Sequence, residues 1–174
     1  MNTISELIYF LFLLLFSFTL LLYFVSTVIC DIKGAPFVPT PKKRIETLKK
    51  IINLKGKKFV DLGSGSGRVV IEAAKNGAKA YGVELNPLLV LYSIIKSKIL
   101  RVKNTHFIIK DISNFNISNF DIIFIYLMPE FIDKIKEKLK NEADPNAIII
   151  SEGFKIKGWK HFKEKNKLYF YRTK

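Results

Sequence analysis

The chain has 174 residues, of which 49% are hydrophobic, enough for one domain of ordinary size with an appendage. Its 29 Lys and Arg outnumber 15 Asp and Glu, giving a net charge of +14 that fits an anionic partner, a lipid surface or a nucleic acid, and equally a plain solvated basic surface. The single cysteine, Cys30, excludes an internal disulfide and any cysteine-based zinc site, and no metal is expected.

Leu7 to Ile29 contains no charged residue. At about 1.5 Å per residue it reaches roughly 34 Å as a helix, enough to cross the hydrocarbon core of a bilayer. A cleaved signal peptide fits less well, because no Lys or Arg precedes the run, the run is long, and no small-x-small site follows it. Residues 1–30 are therefore expected to be an uncleaved transmembrane anchor. Lys33, Lys42, Lys43 and Arg44 follow the span closely, so the positive-inside bias places the rest of the chain in the cytoplasm as a single-pass membrane protein. All 29 basic residues lie beyond Cys30 against 14 acids. Attraction to anionic lipid headgroups, about 1 kcal/mol per basic residue near the surface, needs fewer assumptions than nucleic-acid binding once an anchor is present.

Residues 31–41 read as a linker with a defined shape, since Pro36, Pro39 and Pro41 prevent helix and favour an extended path. Thr40 and Pro41 then resemble an N-cap and first helical position, opening a helix with Ile45, Leu48, Ile51 and Ile52 on one face. Residues 42–174 form the expected catalytic domain, in which strands and helices alternate. Phe59 to Leu62 reads as a strand, followed by a helix to Lys75, a stop at Asn76-Gly77 and a strand from Lys79 to Val83. Asn86-Pro87 caps a helix to about Arg101. Phe107 to Ile109 and Asp121 to Tyr126 are the next strands, Pro129 opens a helix with Ile132, Ile135 and Leu139 inward, and Ala147 to Ile150 is the fifth strand. Such alternation predicts an α/β fold, a Rossmann-like parallel sheet with helices on both faces. Lys157 to Phe162 and Leu168 to Arg172, joined by Lys163 to Lys167, predict a terminal antiparallel hairpin and so a seven-stranded sheet.

The most telling segment is Asp61-Leu62-Gly63-Ser64-Gly65-Ser66-Gly67, between an apolar strand and a helix. Glycines there let the backbone turn tightly and approach a ligand, and the following helix aims free N–H groups at it. A dinucleotide fingerprint would need a glycine where Arg68 stands, and a P-loop needs a Lys-Ser or Lys-Thr pair that is missing. Asp-x-Gly-x-Gly-x-Gly instead reads as the cofactor loop of an S-adenosylmethionine-dependent methyltransferase, with Asp61, Gly63, Ser64, Gly65 and Gly67 about the cofactor. Ligands of an open α/β sheet lie beyond the carboxyl ends of its strands, where Glu84 and Asp111 also stand. Glu84, 17 residues after Gly67, is placed to accept ribose hydroxyls, with Asn86 beside it, while Asp111 could bind the adenine amino group and Ile112 cover the ring. The plain alternatives are a capping carboxylate for Glu84 and an Asx-turn for Asp111. His106 and His161 read as surface or strand residues, and no general base is evident.

Several motifs in order resemble a known group. They are Pro36-Phe37-Val38-Pro39-Thr40-Pro41, Asp61 to Gly65 with Gly67-Arg68, Val83-Glu84-Leu85-Asn86-Pro87, Tyr126-Leu127-Met128-Pro129, and Ser151 with Phe154 and Gly158-Trp159. Over about Pro36 to Tyr171 the chain resembles the seven-strand class I protein-lysine methyltransferases: small archaeal and bacterial enzymes, the mitochondrial enzymes acting on the ATP synthase C-subunit and the adenine nucleotide translocase, and more distantly the histone-lysine methyltransferase without a SET domain. Ser66 departs from the resemblance, since the family usually has Asp there. The resemblance implies transfer of a methyl group to a neutral lysine amine of a protein substrate, with Tyr126, Pro129, Thr40, Phe37 and Trp159 lining the lysine channel; for Tyr126 and Trp159 the alternative is core packing. No Asp-Pro-Pro-Tyr or Asn-Pro-Pro-Tyr tetrapeptide is present, which disfavours a nucleic-acid substrate. The expectation is a membrane-anchored methyltransferase acting on lysines of membrane or membrane-proximal proteins. Its rivals are an enzyme for a lipid or small hydrophobic substrate, and a scaffold that binds the cofactor without catalysis.

Overall fold

The computed structural model describes residues 3–33 and 40–173. Helix α1 (Thr3–Lys33) is continuous, and its segment Thr3–Val25 is long and apolar enough to cross a membrane, with no residue of it buried against the rest of the chain. Phe37 and the proline path up to Pro39 lie outside the described residues.

Helix α2 (Lys42–Ile51) starts one residue later than the sequence predicts. Pro41, in extended backbone, takes the cap position without a side-chain cap bond, and its carbonyl accepts from the amides of Arg44 and Ile45. Thr40 is buried instead, and its carbonyl accepts from Arg68 Nη1 at 3.1 Å. An arginine from the glycine turn thus holds the approach to α2 against that turn.

The elements then follow as β1 (Lys58–Leu62), α3 (Arg68–Lys75), β2 (Lys79–Glu84), α4 (Pro87–Ile99), β3 (Thr105–Ile109), β4 (Ile122–Ile125), α5 (Pro129–Glu142), β5 (Ile148–Glu152), β6 (Lys163–Lys165) and β7 (Leu168–Tyr171). They build one seven-stranded sheet in the order β3-β2-β1-β4-β5-β7-β6. All pairs from β3 to β5 are parallel, and β7 runs antiparallel to both β5 and β6. The hairpin is present, but its first strand lies later than expected. Asn166 and Lys167 adopt positive φ (51° and 60°), so a two-residue turn pairs Lys165 with Leu168, while Gly158 at φ 78° diverts the predicted strand Lys157 to Phe162 into a loop.

Two apolar layers enclose the sheet, as the period of two along each strand requires. Val60, Leu62, Ile123, Ile125 and Ile149 face Ile132, Ile135 and Leu139 of α5. Phe59, Ile122, Phe124 and Ile150 face Ile45 and Leu48 of α2 and Val69, Val70 and Ala73 of α3. Strand alternation puts Asp61, Tyr126 and Glu152 on this second face, at the carboxyl edge where the parallel strands open.

Candidate active site

The glycine turn leaves β1 through left-handed backbone: Gly63, Gly65 and Gly67 have φ of 84°, 50° and 67°. Gly63 and Ser64 donate their N–H groups to Val83 O at 2.9 and 3.0 Å, stitching the turn to β2. Gly67 occupies the cap position of α3, where a Cβ would stand 2.6 Å from Phe107 Cε1 and 2.7 Å from Ser93 Oγ. The turn closes without a side-chain hydrogen bond from Ser66 among the described residues. Ser64 is buried and its Oγ has no hydrogen-bond partner among the described residues. A buried hydroxyl without a partner is costly unless something else completes it.

Glu84 ends β2 and faces this turn. Its Oε2 accepts from Gly65 N at 2.9 Å and its Oε1 from Leu85 N at 2.8 Å and Asn86 N at 2.9 Å. A carboxylate has about four acceptor sites, so roughly one stays open. Asn86 caps α4, its Oδ1 accepting from Leu88 N at 2.9 Å and Leu89 N at 3.4 Å. The capping role is therefore Asn86's, and Glu84 binds the glycine turn to the start of α4. Asp111 follows β3 by two residues and forms the Asx-turn, Oδ1 accepting from Ser113 N at 2.8 Å, while Lys110 N donates to Glu84 O and holds the segment to β2. Ile112 packs against the α5-side core. Asp61, Gly63, Ser64, Gly65, Gly67, Glu84, Asn86 and Asp111 are thus gathered at one end of three adjacent strands.

Next to them stands a group that sequence reasoning missed. Glu152, at the end of β5, has a fully enclosed side chain. Its Oε1 accepts from Arg44 Nη1 of α2 at 2.7 Å, but Oε2 makes no hydrogen bond among the described residues. The Arg44 guanidinium also lies 5.9 Å from the Tyr126 ring centroid. Burial raises the Glu152 pKa, and Arg44 and the nearby Thr40 hydroxyl oppose that rise. Asp61 is pushed well above the usual carboxylate range, first by burial and then by the charges of Glu152 and Glu84. Asp61 thus lies within electrostatic reach of Glu152 and Glu84, while the guanidinium meets Glu152, and a cationic ligand would relieve the repulsion among the three carboxyl groups. The only sequence signal was an acid closing an otherwise apolar strand.

The expected channel residues divide. Thr40 and Tyr126 meet the Arg44–Glu152 pair, and Gly153 lets the chain pass close, since a Cβ there would be 3.1 Å from Tyr126 Cε2. Pro129 opens α5 just beyond Tyr126 and is exposed. Trp159 is not brought to this cluster. It packs edge-on to Tyr171, ring centroids 6.1 Å apart, and lines a separate cleft with Lys140 and Arg172.

This geometry agrees with what the chain is similar to. A family model described as the ANTKMT methyltransferase domain matches residues 61–163, which hold the glycine turn, Glu84, Tyr126 and Glu152. The chain belongs to that family. The human ATP synthase C-subunit lysine N-methyltransferase is 36% identical over 125 residues, covering 71% of this chain and 54% of that protein. The chain thus spans about half the length of this relative. A protein-lysine N-methyltransferase of Saccharolobus islandicus is 33% identical over 130 residues, covering 71% of this chain and 80% of that one. Among solved structures, one described as an RNA methyltransferase from Salinibacter ruber in complex with S-adenosyl-L-homocysteine superposes with a TM-score of 0.75 at 26% identity, over 78% of this chain and 94% of that one. Family membership and the class I sheet hence coincide on the same edge.

Proposed function

We propose that this chain is an S-adenosylmethionine-dependent protein-lysine N-methyltransferase, anchored by residues 1–30 and joined by residues 31–41 to a cytoplasmic catalytic domain, 42–174, that acts on membrane or membrane-proximal proteins. One observation carries the reading: the glycine turn, inside the segment that the family model matches, and a buried acidic cluster share one sheet edge. The residues fit the cofactor. Ser64 Oγ lacks a partner among the described residues, Glu84 keeps acceptor capacity, and a cationic ligand would relieve the repulsion that Glu152 and Glu84 exert on Asp61. When bound, S-adenosylmethionine supplies a methyl group carried on a positive sulfur. Gly63 to Gly67 and Glu84 would hold it, with Asp111 and Ile112 at the adenine side. The lysine specificity rests on the named relatives.

Glu152 gives this chain an electrostatic role in that transfer. The role acts through charge from an enclosed position: the carboxylate, buried beside Tyr126, stabilises the positive charge that develops at the target nitrogen. Arg44 occupies Oε1, Arg44 and Thr40 oppose the rise that burial gives the carboxyl pKa, and Tyr126 borders the same space.

Calorimetric titration of the full chain in detergent with S-adenosylmethionine tests the cofactor assignment: saturable binding is expected, and Glu84→Ala weakens it severely. No binding by the unaltered chain sinks the enzyme reading. Host membranes incubated with tritiated cofactor and separated into protein, lipid and nucleic acid then test the substrate class. Label confined to lipid favours the rival lipid enzyme, and label confined to RNA the chemistry in the description of the Salinibacter relative.

A further inference from the structure

Helix α4 buries Val90, Ser93 and Ser97 on one side, yet its other side is also apolar. Leu88, Leu91, Tyr92, Ile95 and Ile99 recur at helical spacing and are 38%, 53%, 52%, 48% and 74% exposed, and Ile109 on the edge strand β3 is 57% exposed. Single exposed apolar residues are ordinary in a soluble domain, but a contiguous stripe marks a surface that meets something. The charges around it have one sign. From Pro87 to Lys110 there is no acidic residue, while Lys96, Lys98, Arg101 and Lys103 lie along or just beyond the helix. None of these four makes a salt bridge among the described residues, and Lys96 Nζ sits 5.3 Å from the Tyr92 ring centroid. Helix α1, with its membrane-spanning length, comes against this same helix.

We propose that the outer face of α4 lies in the headgroup boundary of an anionic bilayer, Leu91, Ile95 and Ile99 entering the acyl region and the basic residues meeting lipid phosphates. An interfacial helix needs an apolar stripe, a basic flank and an aromatic at the rim, and α4 has all three without an acid to repel the lipid. Contact with α1 makes the occupant a bilayer, since a helix of that length brings its neighbour to the membrane. Because Asn86 caps α4 beside Glu84, this contact also fixes the height of the cofactor edge above the lipid.

The inference rests on the anchor reading, and one experiment separates the two. The full chain carrying Cys30→Ser and either Ile95→Cys or Ile99→Cys is labelled with an environment-sensitive fluorophore and reconstituted into phosphatidylcholine–phosphatidylserine vesicles. Lys165→Cys, on the hairpin, is the aqueous control. Blue-shifted emission at 95 and 99, quenched several-fold by lipids spin-labelled on the acyl chain, with no quenching at 165, is expected. Adding Leu91→Glu, at a position already half exposed, should reduce the quenching at 95 without loss of fold. Alkaline carbonate extraction reports on α1 independently. Release of the chain by carbonate overturns the anchor and the α4 contact together. Retention with aqueous emission at 95 and 99 overturns the α4 contact alone, as does emission shifted only by concentration-dependent pairing of labelled copies.

Discussion

The ionised carboxylate of Glu152 is the part of the site whose removal has the most distinctive consequence. Glu152→Gln keeps the shape and an acceptor oxygen but deletes the charge. A carboxylate 4 Å from a full positive charge gains about 4 kcal/mol at an effective dielectric of about 20, so with roughly half of the charge developed at the transition state the loss is ~2 kcal/mol, or about 30-fold in kcat. The pH dependence is more specific than the rate. The target lysine must be neutral, so log(kcat/KM) rises with slope one toward its pKa of about 10.4 in any such enzyme. Dependence on ionised Glu152 adds a second unit of slope below the pKa of that carboxyl, which burial raises. The full chain, tritiated cofactor and a hexapeptide library with one fixed lysine give the profile: slope two turning to slope one for the unaltered protein, slope one throughout for Glu152→Gln. In Arg44→Gln the guanidinium no longer opposes desolvation, so the break moves to higher pH. An unchanged break in Glu152→Gln, or its absence from the unaltered protein, refutes the role given to this carboxylate.

Other consequences follow from the same geometry. Asp61 has a folded-state pKa well above its unfolded value, so it favours the folded state below about pH 3.9 and loses that contribution as pH rises through the raised value. Asp61→Asn therefore raises the thermal midpoint at pH 7 more than at pH 4, while weakening S-adenosylmethionine binding; an equal effect at both pH values contradicts this. Gly67→Ala places a Cβ within 2.8 Å of Phe107 and Ser93 on left-handed backbone, which costs about 2–4 kcal/mol in urea unfolding. Ser64→Ala removes a buried hydroxyl that has no partner among the described residues, so it leaves urea stability within about 0.5 kcal/mol of the unaltered chain but lowers cofactor affinity about five-fold, roughly 1 kcal/mol, by calorimetry.

Much of the cofactor edge was legible because its signals are local. Three glycines between an apolar strand and a helix, and acids at strand ends, need only neighbouring residues to be read, and Gly63 to Gly67 and Glu84 fall together as that pattern requires. The Arg44–Glu152 pair joins positions 108 residues apart, and nothing near either residue announces the other. Strand β6 was misplaced because its turn uses Asn166 and Lys167 in left-handed backbone without a glycine, while Gly158 lies inside the stretch that alternates like a strand. Thr40 carried the composition of an N-cap, but burial beside Arg68 and Glu152 outweighed local capping. Trp159 followed the family motif by sequence position, yet Gly158 turns it toward Tyr171 and the cleft with Lys140. The stripe on α4 was hidden for a different reason: an apolar helix reads as core until its neighbours are known, and here only one side of it is covered.

Methyl transfer to lysine is tested most directly by the chemical form of the transferred label. Host membranes are incubated with the full chain and tritiated S-adenosylmethionine, the protein fraction is hydrolysed to amino acids, and the radioactivity is resolved by chromatography. Label eluting with Nε-methylated lysine, absent when Glu84→Ala replaces the unaltered chain, is the predicted result. Label in any other amino acid, or none in protein while calorimetry shows the cofactor bound, contradicts a lysine methyltransferase.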